Sequence, residues 1–350
     1  MTSNKAIDLS SDDESVCKHL VTAPAMLMFG LSLMRYTDPR IERATQATNE
    51  ERFLAMFGIT APTACTIYED MQRTPIQEAR IEGNQNSLKA FLMGCHYLRK
   101  YPTEADLEPK FDYSKYWARE LCWGMIKRIR AMRAEKIVWP DDLAANDIWV
   151  ISVDGTHSWT VEYSHPMLSQ DPGKYSHKFH HAGQNYELGI SLSTNQLVWL
   201  AGPIDAGASD LKVFRESGLL DRLEELGQKA IGDGGYNGEP KYLSTYNSHD
   251  SKSVRMFKSR ALKRHENFND LIKVFECTKT RFRHSKERFE QSFEAVCVLC
   301  QYKIENEVPL YDILVQAVID ADDESDEDDD FLFYDDVMDE SDDEDDNESQ

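Results

Sequence analysis

Three carboxylates stand in contexts that suit phosphoryl chemistry. Ile148-Trp149-Val150-Ile151-Ser152-Val153 is an apolar, β-branched run that reads as a buried strand, and it delivers Asp154 directly before Gly155, Thr156 and His157. Lys229-Ala230-Ile231-Gly232-Asp233-Gly234-Gly235-Tyr236 repeats the design: a short strand, an acid, then glycines. Glu266 lies on a helix expected from about Arg260 to Glu276. An aspartate before a glycine has a local alternative, a turn that bonds its own backbone. Three gathered acids repel one another unless a divalent cation neutralises them. Mg²⁺ or Mn²⁺ suits carboxylate oxygens and leaves positions for water and phosphate, and two such ions serve both the attacking and the leaving oxygen of a phosphodiester.

The acids need a frame. Asn185–Leu192 and Gln196–Ile204 read as two strands joined by a tight turn at Ser193-Thr194-Asn195. A helix is expected over about Ser209–Leu226, with Ser209 or Asp210 as its cap. A further apolar helix near Phe289–Ile304 should pack on the sheet. The order strand, strand, strand, helix, strand, helix is a mixed α/β layer architecture, in which neighbouring strands would bring Asp154 and Asp233 to one edge and a helix would lay Glu266 across them.

Ahead of this region, residues 16–140 read as all-helical. Leu88, Phe91, Leu92, Cys95 and Leu98 follow helix spacing until Pro102 stops them. Thr103 caps a short helix to Phe111, Asp112-Tyr113-Ser114 is a turn, and a longer helix runs from Lys115 to about Lys136. The pair suits a helix-turn-helix. The second helix carries Lys115, Arg119, Lys127, Arg128, Arg130, Arg133 and Lys136 against Glu120 and Glu135 only, a face expected to meet phosphate. Its Trp117, Leu121, Met125, Ile129 and Met132 are expected to be core.

The set Asp154-Gly155-Thr156-His157, Gly232-Asp233-Gly234-Gly235-Tyr236 and Arg264-His265-Glu266-Asn267-Phe268-Asn269 with Lys273 resembles the catalytic core of DDE transposases, with the nearest look to Harbinger-type and related DDE superfamily endonucleases. The separation of 33 residues from Asp233 to Glu266, and of Lys273 beyond it, is similar to the acid and lysine pattern of insertion-sequence relatives. The resemblance covers about residues 146–315. It implies a ribonuclease-H-like mixed sheet with flanking helices, two Mg²⁺ or Mn²⁺ ions on Asp154, Asp233 and Glu266, and cleavage or strand transfer of double-stranded DNA in the nucleus. The preceding helices resemble the DNA-binding module that such proteins carry. The sequence departs from the pattern at Leu262, where relatives place an arginine; Arg260, Lys263 and Arg264 are the nearby bases. Asp210, in Ala206-Gly207-Ala208-Ser209-Asp210, is the alternative second acid; Asp233 is preferred because it ends a core strand while Asp210 has work as a cap. Lys263, Arg264 and Lys273 are expected on DNA phosphates, within residues 252–288 that hold 12 Lys plus Arg against 4 Asp plus Glu. The alternative function is a domesticated descendant that binds DNA or protein without cutting; an RNA-cutting enzyme suits the helical module less well.

The formal charge of −23 is concentrated: residues 320–350 hold 19 Asp plus Glu and no Lys or Arg. This tail, and the acidic residues 1–15, lack the apolar content to fold. The tail is expected to solubilise, with two sharper roles open: folding back on the basic surfaces, or docking a protein partner through Phe331-Leu332-Phe333-Tyr334. Ile7-Asp8-Leu9 followed by Ser and acids resembles strand-adding motifs that bind small ubiquitin-like modifiers, against the plainer reading of a solvated tail. Seven unpaired cysteines point to a reducing compartment, and Cys297-x-x-Cys300 reads as helix packing rather than zinc. His157, with contact to metal or phosphate as the alternative, reads as a structural hydrogen-bonder, and the group His177, His180 and His181 lacks an ordered zinc spacing. No stretch is apolar for long enough to span a bilayer, so no membrane role is expected; a homo-oligomer is.

Overall fold

The computed structural model describes residues 21–73, 87–140, 148–162 and 166–313. The expectations for the two acidic ends fall outside these residues. The helical part comprises α1 Ala23–Leu33, α2 Asp38–Glu42, α3 Gln46–Phe57, α4 Ala61–Arg73, α5 Ser87–Lys100, α6 Glu104–Phe111, α7 Lys115–Ala131 and the short α8 Arg133–Lys136. After it come β1 Trp149–Trp159, α9 Pro166–Ser169, β2 Gly183–Ser191, β3 Leu197–Asp205, α10 Asp210–Glu216, α11 Leu219–Leu226, β4 Lys229–Ile231, β5 Leu243–Ser244, α12 Lys252–Lys273, α13 Glu276–Lys279 and α14 Lys286–Asn306.

The five strands form one sheet in the order β3-β2-β1-β4-β5. β1, β2 and β3 are antiparallel neighbours, while β1–β4 and β4–β5 are parallel. This mixed sheet flanked by helices is the expected ribonuclease-H-like architecture. α12 and α14 cover one face; α10 and α11 cover the other, over a core of Val150, Ile151, Val153, Phe214, Leu219, Leu223 and Tyr236.

Local chemistry explains several boundaries. Thr103 and Asp106 exchange bonds in a capping box that starts α6, and Ser114 accepts from the Trp117 amide to start α7. Ser251 and Ser285 do the same for α12 and α14. The single helix expected over Ser209–Leu226 is two, because Gly218 turns the chain with φ of 91° between α10 and α11. β1 also differs from expectation. It continues through Gly155 to Trp159, paired residue by residue with β2, so Asp154 sits mid-strand opposite Leu188.

The helical part is not packed as a separate body. α7 and α5 lie against α14 and α13, and the largest core runs from Met26 and Phe91 through Ile129 to Leu188, Phe268, Phe293 and Cys300. The expected division near residue 140 is a division of sequence that the core crosses. α14 is buried along most of its length, with Cys297 and Cys300 fully enclosed as free thiols. Leu121, Met125, Ile129 and Met132 are core as expected, whereas Trp117 is 48 % exposed beside Tyr116. The reason is its place in the first turn of α7, beyond the reach of α14. Among the described residues no helix is long and apolar enough to cross a membrane.

Candidate active site

Alternation along β1 sends Ser152, Asp154, Thr156 and Ser158 toward α12, and Val153, Gly155, His157 and Trp159 toward α10. On the first face α12 runs alongside the strand and meets it at three levels. His265 Nδ1 lies 3.2 Å from Ser152 Oγ, Asn269 Nδ2 donates to Asp154 Oδ2 at 2.8 Å, and Lys273 Nζ donates to the His157 carbonyl at 2.5 Å. On the second face two glycines clear room for carboxylates. A Cβ on Gly155 would stand 2.8 Å from Asp210 Oδ1, and one on Gly235 would stand 2.5 Å from Asp210 Oδ2 and 3.1 Å from Asp233 Oδ1. Gly155 thus serves close approach rather than the turn expected from sequence.

Asp210 and Asp233 therefore meet at the glycines, and Asp154, directed to the other face of β1, lies close enough for both charges to act on it. Burial pushes the Asp154 carboxyl up to about 7, with Asp233 and then Asp210 adding repulsion against the pull of the Gly155 amide and Asn269. Burial and Asp233 also raise Asp210, opposed by the Lys178 ammonium. The work assigned to the two candidate second acids is reversed. Ser209 Oγ caps α10 by accepting from the Lys212 amide, which leaves the Asp210 carboxylate free to face the glycines. Asp233 caps the 3₁₀ turn Gly234–Tyr236 by accepting from the Gly235 amide at 2.9 Å. The reason given for setting Asp210 aside does not hold, and both acids belong to the cluster.

Glu266 is exposed on α12, one residue round from the His265–Asn269–Lys273 stripe, and its charge acts on Tyr311. The group from α12 that touches the cluster is Asn269. Among the described residues no group of three or more His, Cys, Asp or Glu side chains is arranged to hold a metal ion. The chemistry of the donor set nonetheless fits a hard divalent cation: ionisation of Asp154 and Asp210 is opposed by burial and by neighbouring acids, and the Lys178 charge acting on Asp210 does not cancel this.

One residue was missed altogether. Glu187 on β2 pairs with Gly155 and is fully buried, accepting from Trp199 Nε1 at 3.0 Å and Ser217 Oγ at 3.1 Å. Burial raises its carboxyl to about 7. A glutamate inside a strand pattern gives no sequence signal of this, since its partners lie 12 and 30 residues away.

The expected phosphate contacts divide sharply. Lys115, Lys127 and Lys263 are exposed, and Arg128 is half-buried. Arg119 is committed to Glu104, Arg130 to Glu290 and Glu294, and Arg133 to Glu294 and the Leu200 carbonyl. Lys136 pairs with Glu305. Arg264 is a correction: it is fully buried, bonding Asn195 and the Ser191 carbonyl, because its position on α12 faces the β2–β3 turn. Lys273 is a strut between the His157 and Thr278 carbonyls, and burial lowers it to about 8. His157 bonds Asn185 Oδ1 at 2.7 Å, a structural role.

Sheet order and acid placement together define a ribonuclease-H-like domain with a carboxylate cluster beside its central strand. Residues 153–301 match the family model of the DDE superfamily endonucleases, and the domain that they form belongs to that family. A search of curated proteins returns no match, and neither does a search of solved structures.

Proposed function

We propose that the protein is a transposase-type, metal-dependent endonuclease and strand-transferase acting on double-stranded DNA in the nucleus. The observation that carries this reading is that Asp210 and Asp233 share the space left open at Gly155 and Gly235, near enough for both charges to act on buried Asp154, with Asp154 and Asp210 raised by burial and repulsion. Asp154, Asp233 and Asp210 would hold Mg²⁺ or Mn²⁺, with Glu266 exposed on α12 outside this group. A bound cation supplies charge neutralisation and Lewis acidity at a phosphodiester oxygen. Asn269 fixes Oδ2 of Asp154, while the buried strut Lys273 locks α12 to the strand that bears it. Exposed Lys115, Lys127 and Lys263 are the bases left to meet DNA phosphate. A homo-oligomer and a protein partner for the acidic ends belong to the same reading.

Calorimetry with Mg²⁺ and Mn²⁺ on wild type, Asp154→Asn, Asp210→Asn and Asp233→Asn, followed by nicking of a duplex library, tests it. Saturable binding and cation-dependent nicking, both lost in Asp154→Asn, support the nuclease; the comparison of Asp210→Asn with Asp233→Asn ranks the second acid. A folded protein that binds no cation even with DNA present would sink it. The exposed position of Glu266 is the observation that favours the alternative, a domesticated protein that binds DNA or protein without cutting.

A further inference from the structure

β1 runs five residues beyond Asp154, and its Gly155, His157 and Trp159 share the face on which Asp210 lies. Two rings from the following loop lie over that face. Phe179 stacks on His157 with centroids 4.9 Å apart at 21°, and His181 stacks on Trp159 at 4.8 Å and 25°. A 3.4 Å contact between His157 Nε2 and His181 Nδ1 ties the two pairs. A loop that merely covered a strand end would bury its largest rings. Here the loop's Phe179 is 47 % exposed, and Trp159 of β1 beneath the loop is left 39 % exposed.

Cations flank this ladder at both ends. Lys178 Nζ stands 5.6 Å from the Phe179 centroid, and the Arg281 guanidinium stands 6.0 Å from that of Trp159. Arg281 also lines a cavity of about 590 Å³ with Lys100 and Arg283. At the other end, the Lys178 charge reaches Asp210. The aromatic surface therefore runs from the acid cluster to a basic cavity, with flat apolar faces between fixed positive charges. Paired bases of a duplex present only edges, whereas unpaired bases offer faces to such rings.

We propose that the Phe179–His157–His181–Trp159 ladder is a stacking platform for unpaired nucleotides next to the phosphate at the acid cluster, with Lys178, Arg281 and Lys100 on their backbone. This rests on the DNA-cleaving reading and adds that the strand is held unpaired beside the cut. Fluorescence anisotropy of full-length protein with labelled oligo(dT) of twelve nucleotides, a duplex bearing a three-nucleotide overhang and the blunt duplex tests it. Phe179→Leu keeps apolar cover for His157 but removes the flat face, and Trp159→Ala is paired with Trp159→Phe, which restores one. Phe179→Leu and Trp159→Ala should weaken oligo(dT) and overhang binding roughly 5- to 150-fold, leave blunt duplex unchanged, and recover in Trp159→Phe. Equal affinity of all variants for overhang DNA, with blunt-duplex binding intact, overturns the platform alone. Failure of wild type to bind any of the three probes overturns the platform and the DNA reading together.

Discussion

Two charged regions of this molecule look equally functional in sequence and are opposite in structure. Along α7 and α14 the charges are matched: Glu294, 3 % exposed, receives both Arg130 at 2.8 Å and Arg133 at 2.7 Å, and Glu290 takes the other arm of Arg130. Beside β1 repulsion prevails: the charges of Asp233 and Asp210 act on Asp154, and Asp154 and Asp210 are raised by burial and by neighbouring acids, with Lys178 only partly opposing this at Asp210. A neutralised cluster holds two elements together. An unneutralised one leaves an unfavourable interaction that a ligand can relieve, which is why perturbed acids in a cleft point to a site. A row of bases on a helix is thus weaker evidence for DNA contact than three acids that repel.

The sharpest way to break the comparison is Glu294→Gln. If the α7–α14 network is structural, the neutral side chain leaves two guanidiniums short of a partner. Stability should fall by about 2–3 kcal/mol in urea unfolding, discounted because the arginines are a third exposed. Loss of DNA affinity without loss of stability would reverse the assignment.

The acid cluster predicts the opposite sign with pH. Asp154 titrates at about 7 when folded and near 3.8 when unfolded, so the folded state holds its proton more tightly. That contribution is complete below 3.8 and is lost as pH rises through 7, which amounts to about 4 kcal/mol across the window. Wild type should lose stability relative to Asp154→Asn between pH 4 and 8, and Mg²⁺ or Mn²⁺ should restore it at pH 8 but not at pH 5. Parallel pH profiles for the two proteins would show that the acids do not interact as described.

Gly155→Ala sharpens the contrast further. The new Cβ meets Asp210 Oδ1 at 2.8 Å, and that oxygen is the tip of a movable side chain. The fold should lose less than about 1 kcal/mol while cation affinity drops about tenfold, as for residues that orient ligands. A large fall in melting temperature would mean that the glycine serves the strand instead. The smallest effect belongs to Lys127→Ala on the exposed side of α7: stability unchanged, and the salt dependence of duplex binding shallower by roughly one unit of slope. An unchanged slope would remove α7 from the DNA surface altogether.

The sequence by itself determined most of the elements from α5 onward and marked Asp154 and Asp233 as candidate acids. Apolar, β-branched runs marked β1 to β4, helix spacing and the cap Thr103 marked α5 to α7, and the Asp-Gly contexts marked Asp154 and Asp233, because these signals depend on residues within a few positions of each other. Only the tertiary structure decided how the charges are spent. Arg130 finds its partners 160 and 164 residues away, Arg264 finds Ser191 at 73, and Asn269 reaches Asp154 across 115. Asp210 changes from expected cap to cluster member because Ser209 takes the cap and two glycines, distant in sequence, open the space for its carboxylate. Local pattern fixes backbone geometry through short-range sterics and hydrogen bonds. Whether a charge is paired, buried or left facing its own kind is set by which segments the sheet order brings side by side.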